Sequence, residues 1–144
     1  MPRLVRTFPL EAQADKVWSL LGDPGAWPRF VRHLNRAGWA PQQSGSPPTV
    51  DIHASYRSVF TWSGSVACTI DSAERVVVIG AARDATISAE GRLRVREIGS
   101  GGCAVELDAE YQIKVPLIGG LVRAKLDGYL ASTAAALQQT ALTA

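Results

Sequence analysis

Few side chains in this sequence titrate near neutrality or act as nucleophiles, and their spacing decides what chemistry they can share. His33 and His53 are the only histidines, and Cys68 and Cys103 the only cysteines. The cysteines lie 35 residues apart with no CxxC and no flanking histidine, so neither a zinc set nor a redox pair is spelled out. Both read as reduced core residues. His53 alternates with Asp51 and Ser55 on the wet side of a strand pattern, while His33 follows Phe30 and Val31, which with Leu34 have the better claim to an interior. Neither histidine has a second ligand at metal spacing, so no metal and no cofactor is expected. The GxSxG, HExxH, P-loop and GxGxxG signatures are absent.

What remains can bind or polarise better than it can react. Arg6 shares the alternation of Leu4, Phe8 and Leu10. It either projects inward to meet a ligand carboxylate or enolate, or sits at a rim. Glu97 shares the phase of Leu93 and Val95 but falls at a turn, where it reaches water. Tyr56 and Tyr111 have two readings, as hydrogen-bond donors to a carbonyl or polyphenol and as core tyrosines with satisfied hydroxyls. Asp23, in "LLGDPGAWPRF", reads as the cap of a short helix and not as a catalytic acid. No catalytic residue can be assigned from these types and spacings.

The elements that must position these groups follow from periodicity. A chain of 144 residues fits one domain, 1–144, long enough to bury roughly two thirds of its unfolded surface. A formal net charge of +2 is too small to argue for nucleic acid. The first residues carry no apolar signal-peptide core, and Arg123, Lys125 and Asp127 interrupt the apolar C-terminal stretch. A cytoplasmic protein without a membrane span is expected. Residues 3–10 read as a strand. A short helix follows with Ala14, Val17, Trp18 and Leu21 on one face, closed by Gly22, and Pro24 and Pro28 bracket a second. From about Ala37 the period becomes two, giving about six antiparallel strands, with the loop "PQQSGSPP" among them. In the last hairpin, Arg96, Arg94 and Arg92 are expected opposite Glu106, Asp108 and Glu110, a neutralised stripe that does not read as an RNA ridge. Helical spacing of Leu121 or Val122, Leu126, Tyr129, Leu130, Thr133 and Leu137 predicts a helix over 118–141, roughly 36 Å long.

This order of elements resembles the START-like, helix-grip family known as SRPBCC, in particular its polyketide cyclase/dehydrase-like and carbon-monoxide-dehydrogenase-subunit-G-like members. The residues that carry it are "ADKVWSLLGDPGAWPRF", similar to the family's helix, aspartate and Trp-Pro elbow, and "IKVPLIGGLVRAKLDGYL", similar to its final strand and long helix. The resemblance implies an α+β fold in which a curved antiparallel sheet of about seven strands wraps a long C-terminal helix, with two short helices after strand 1. It also implies a cavity for a hydrophobic ligand, while family members range from enzymes to passive carriers.

Four tryptophans and an Ala-rich C-terminal helix add to this, since small helix faces leave space over a curved sheet. The ligand-lining set expected is Arg6, Trp27, Phe30, Tyr56, Trp62, Leu93, Tyr111, Leu126 and Tyr129, with Trp27 and Phe30 plugging or gating one end. The leading expectation is a binder of a small hydrophobic ligand: a lipid, isoprenoid, quinone or polyketide-like molecule. A polyketide cyclase or aromatase is the alternative, and an interaction module with a filled core is the third. The sequence leaves the oligomeric state open.

Overall fold

Alternation in RLVRTFPL makes strand β1 (Arg3–Leu10), whose even positions face inward; Leu4 and Leu10 are buried there. Helix α1 (Ala14–Leu21) follows, then a 3-10 turn (Pro24–Arg29). Six strands come next: β2 (Leu34–Trp39), β3 (Thr49–Tyr56), β4 (Phe60–Asp71), β5 (Val76–Arg83), β6 (Ile87–Glu97) and β7 (Cys103–Ile113). Helix α2 (Gly119–Leu142) closes the order. The computed structural model describes residues 3–41, Gly45, 47–56, 60–83, 87–99, 101–113 and 119–143. It describes their side chains except those of Tyr56, Phe60, Trp62, 81–83, 87–88, Ile113 and 119–124.

The strands form one curved antiparallel sheet in the order β1-β7-β6-β5-β4-β3-β2. The doubly apolar run VVVI therefore occupies the central strand, as its composition requires. The expected fold class stands: seven strands, two short helical turns after β1 and a 24-residue C-terminal helix.

The hairpin register differs from expectation by two residues. Arg94 lies opposite Glu106, Arg92 opposite Asp108, and Arg96 opposite Ala104. The last ladder pair is Glu97 with Cys103, and Ile98 N–H donates to the Gly102 carbonyl at 3.2 Å just beyond it. Two glycines fit this register. Gly101 takes φ +86°, and a Cβ on Gly102 would lie 2.5 Å from the Leu10 carbonyl, so only glycine can tuck against the end of β1. A shift of two preserves every face. The charges stay on the outer side, and Arg96 still reaches Glu106 diagonally, Nε to Oε1 at 3.1 Å.

The core sits under the inner face, where Val50, Val66, Cys68, Val77, Val95, Cys103 and Val105 meet Val17, Leu20 and Leu21 of α1 and Leu137 and Ala141 of α2. At the elbow, Asp23 Oδ1 accepts from Gly25 N–H at 3.1 Å and caps the 3-10 turn. Gly22 ends α1 where a Cβ would approach the Trp18 ring to 3.0 Å. The Trp27 indole N–H donates to the Leu21 carbonyl at 2.9 Å, pinning the second turn to the end of the first.

Candidate functional site

Burial grades along the inner face. At the end covered by α1, the elbow and the last turns of α2, wall residues such as Val50, Cys68 and Cys103 are almost fully enclosed. Toward the first turns of α2 the same face becomes partly exposed at Ile52, Ala54, Ile79, Ala89, Leu93, Leu107, Ala109 and Tyr111. The helix repeats the gradient. Leu137 and Ala141 are buried, Leu126 and Leu130 only half-buried, and Tyr129 remains 37% exposed.

The cause lies in the side chains of the wall. Ala54, Gly64, Ala89, Gly91 and Ala109 share this inner phase, and Gly91 pairs with Ala109 across β6 and β7. A Cβ built on Gly91 would first meet Ala109 Cβ at 3.4 Å, and its nearest neighbours all belong to β7 and none to α2. Small side chains in this phase leave the inner wall thin, and its residues here stay partly exposed.

Polar ties flank this region on both sides of α2. On one side, Arg6 of β1 grips Asp127 of α2 with two bonds, Nε to Oδ1 at 2.8 Å and Nη2 to Oδ2 at 3.2 Å. The bond holds the Asp127 carboxyl below its ordinary range and raises the Arg6 guanidinium further. On the other side, the Tyr129 hydroxyl donates to the Arg32 carbonyl at 2.8 Å, and Arg32 Nη2 donates to Ser132 Oγ at 3.3 Å. Burial raises the Tyr129 phenol.

Arg6 thus lies in the inward phase and at the rim at once, with its side chain 42% exposed. Leu93, Tyr111 and Leu126 belong to the partly covered wall and roof. Trp27 and Phe30 are both buried in the main core, at the closed end. Tyr56 and Trp62 have backbone positions in the β3–β4 ladder, opposite Phe60 and Ala54 respectively, but their side chains lie outside the described residues. Glu97 turns to water and pairs with Arg75 at 3.1 Å, as its place at the turn implied. The Asp127 partner and the Tyr129 tie to the Arg32 carbonyl carry no signal in the sequence, because both join segments far apart in the chain.

Reactive groups are sparse. Among the described residues no polar or charged side chain is buried, and no cluster of His, Cys, Asp or Glu is placed to hold a metal. Cys68 and Cys103 are free and buried, and burial raises both thiols, which keeps them protonated near neutrality. On the outer face Ser63 Oγ lies 3.4 Å from His53 Nδ1, but Asp51 accepts from Ser65. These four therefore do not form a Ser-His-Asp relay. They border an open groove of about 620 Å³.

A family model described as polyketide cyclase / dehydrase and lipid transport matches residues 1–142. The chain belongs to that family. Solved structures share its fold. A START superfamily protein from Mycobacterium smegmatis superposes with a TM-score of 0.78 at 16% identity, over 98% of this chain and 97% of that one. The Zhui aromatase/cyclase from Streptomyces sp. R1128 gives 0.68 at 15% identity, over 99% and 92%. The di-domain ARO/CYC BexL of the BE-7585A biosynthetic pathway gives 0.75 at 17%, over 97% of this chain and 46% of that one. The chain spans about half the length of that di-domain protein. At these identities the likeness shows the fold. No curated protein sequence matches the chain.

Proposed function

We propose that the chain binds a small hydrophobic molecule, of lipid, isoprenoid, quinone or polyketide-like character, between the inner face of the sheet and the first half of α2. The observation that supports this reading is the gradient of burial on one face. The same apolar wall is enclosed at one end and partly uncovered at the other, where Ala54, Ala89, Gly91 and Ala109 leave it thin. A filled core, as an interaction module needs, would bury that wall throughout. Apolar burial drives such binding at ~25 cal/mol per Å² before ordering costs are subtracted.

A polyketide cyclase or aromatase is the second reading, favoured by the family's description and by Arg6 and Tyr111 sharing the inner phase of the adjacent strands β1 and β7. In that case the wall would fold a flexible chain and position would supply most of the rate, with Arg6 or Tyr111 stabilising an enolate. Thermal shift of delipidated protein against long-chain alcohols, fatty acids, quinones and polyphenols tests binding. A rise in melting temperature with at least one apolar class is expected. No shift with any of them overturns the reading in favour of an interaction module.

A further inference from the structure

Among the described strand residues of the inner face, only two carry charge. Glu97 is spent at the hairpin turn on Arg75, away from the uncovered wall. Arg6 stands beside that wall. Its ladder partner is Leu107, which continues into Leu93 on β6, and Leu4 and Phe8 flank it in the same phase.

The apolar phase of β1 is interrupted once by an arginine, whose guanidinium stands at the exposed rim of the wall. Asp127 is the partner in the structure, yet Arg6 and Asp127 are both well exposed, at 42% and 63% of their side chains. A pair so open to water contributes little to stability and exchanges readily. The geometry of the grip is the informative part: two parallel N–H donors meet two carboxylate oxygens, the fork that any carboxylate fits.

We infer that the ligand is an acid: a molecule with an apolar body and a terminal carboxylate, whose carboxylate takes the place of Asp127 on Arg6 while its body covers the wall of Leu93, Gly91, Leu107 and Ala109. The inference rests on the hydrophobic-binding reading above and adds the chemical class of the head. Asp127 is then a resident competitor. In the empty protein it satisfies Arg6, and in the complex it is released to water, where an exposed aspartate is at no disadvantage. The incoming acid prevails because burial of its own tail adds to the same ion pair.

Two substitutions separate this role from a structural one by sign. If the ion pair merely fastened β1 to α2, removing either member would weaken binding alike. If Asp127 competes, Arg6→Gln weakens acid binding and Asp127→Asn strengthens it. The probes are dodecanoic acid and dodecan-1-ol, titrated into the delipidated full chain and followed by calorimetry above pH 7. The expected result is that the acid binds about tenfold or more tightly than the alcohol. Arg6→Gln removes that difference while leaving the alcohol unchanged, and Asp127→Asn tightens the acid severalfold.

Equal binding of acid and alcohol, untouched by Arg6→Gln, overturns the assignment of Arg6 and leaves the hydrophobic reading standing. Parallel loss of both probes in both variants also overturns it, since the pair is then a fastener. Binding of neither probe by the unaltered chain, together with the failure of the wider apolar panel, overturns this inference and the reading beneath it.

Discussion

Gly91→Leu decides whether the wall beneath α2 borders open space or a packed core. Gly91 sits mid-strand in β6 opposite Ala109, and the first atom its new Cβ meets is Ala109 Cβ at 3.4 Å, an ordinary contact. Beyond it the side chain grows toward α2. If the space is open, two gains follow. Replacing a strand glycine relieves roughly 0.5–1 kcal/mol of backbone entropy, and partly burying a leucine adds about 1 kcal/mol, less than the 1.5–3 of full burial. The sum is about 1.5–2 kcal/mol, which at roughly 3 °C per kcal/mol for a chain of this size raises the melting temperature by about 4–6 °C. If the space is filled, the leucine overpacks it and stability falls by about 1–3 kcal/mol. Differential scanning calorimetry of ligand-free protein reads the sign. The same variant should lower affinity for any apolar ligand found by screening at least about tenfold, equivalent to ~1.4 kcal/mol, because the leucine occupies the ligand's place. A fall in melting temperature would refute the reasoning.

Three further outcomes follow. Trp27→Ala removes a buried ring from the elbow and its bond to the Leu21 carbonyl, so a loss of about 3–5 kcal/mol in denaturant unfolding is expected; unchanged stability and ligand affinity would exclude both a core and a gating role for Trp27. Carboxyl titration by NMR should place Asp108 and Asp127 below the ordinary aspartate value of about 3.9, because the Arg3 and Arg6 bonds lower both. Whatever stability these pairs add is therefore present above that value and lost as pH falls through their lowered ones. Native protein should react slowly with a disulfide reagent at neutral pH and quickly once unfolded, since burial raises the Cys68 and Cys103 thiols; fast labelling of folded protein would contradict their burial.

Element order and strand phase were legible in the sequence because each rests on local periodicity. The apolar run of β5 belongs in the sheet centre, and Asp23, Gly22 and Pro24 mark the elbow that the structure contains. The hairpin register was not legible to within two residues. Alternation fixes the face of a side chain but not its opposite number, and the deciding contact, Gly102 against the Leu10 carbonyl, joins segments far apart in the chain. The site was half legible for the same reason. The inward phase of Arg6 could be read from Leu4, Phe8 and Leu10, whereas its partner Asp127 lies 121 residues away and depends on how α2 is seated. Trp27, expected to plug or gate one end of the cavity, is buried in the main core beside the elbow, and the bond that fixes its ring, to the Leu21 carbonyl, has no signature in its aromatic type.

The proposal that an apolar molecule occupies the space between the sheet and α2 is tested most directly by native mass spectrometry of the full chain purified from its own host without detergent. The expected spectrum contains a second species, heavier by the mass of one small apolar molecule and converted to the bare chain by mild organic extraction. A spectrum with the bare chain alone, from protein that also shows no thermal shift with lipids, quinones or polyphenols, would contradict it.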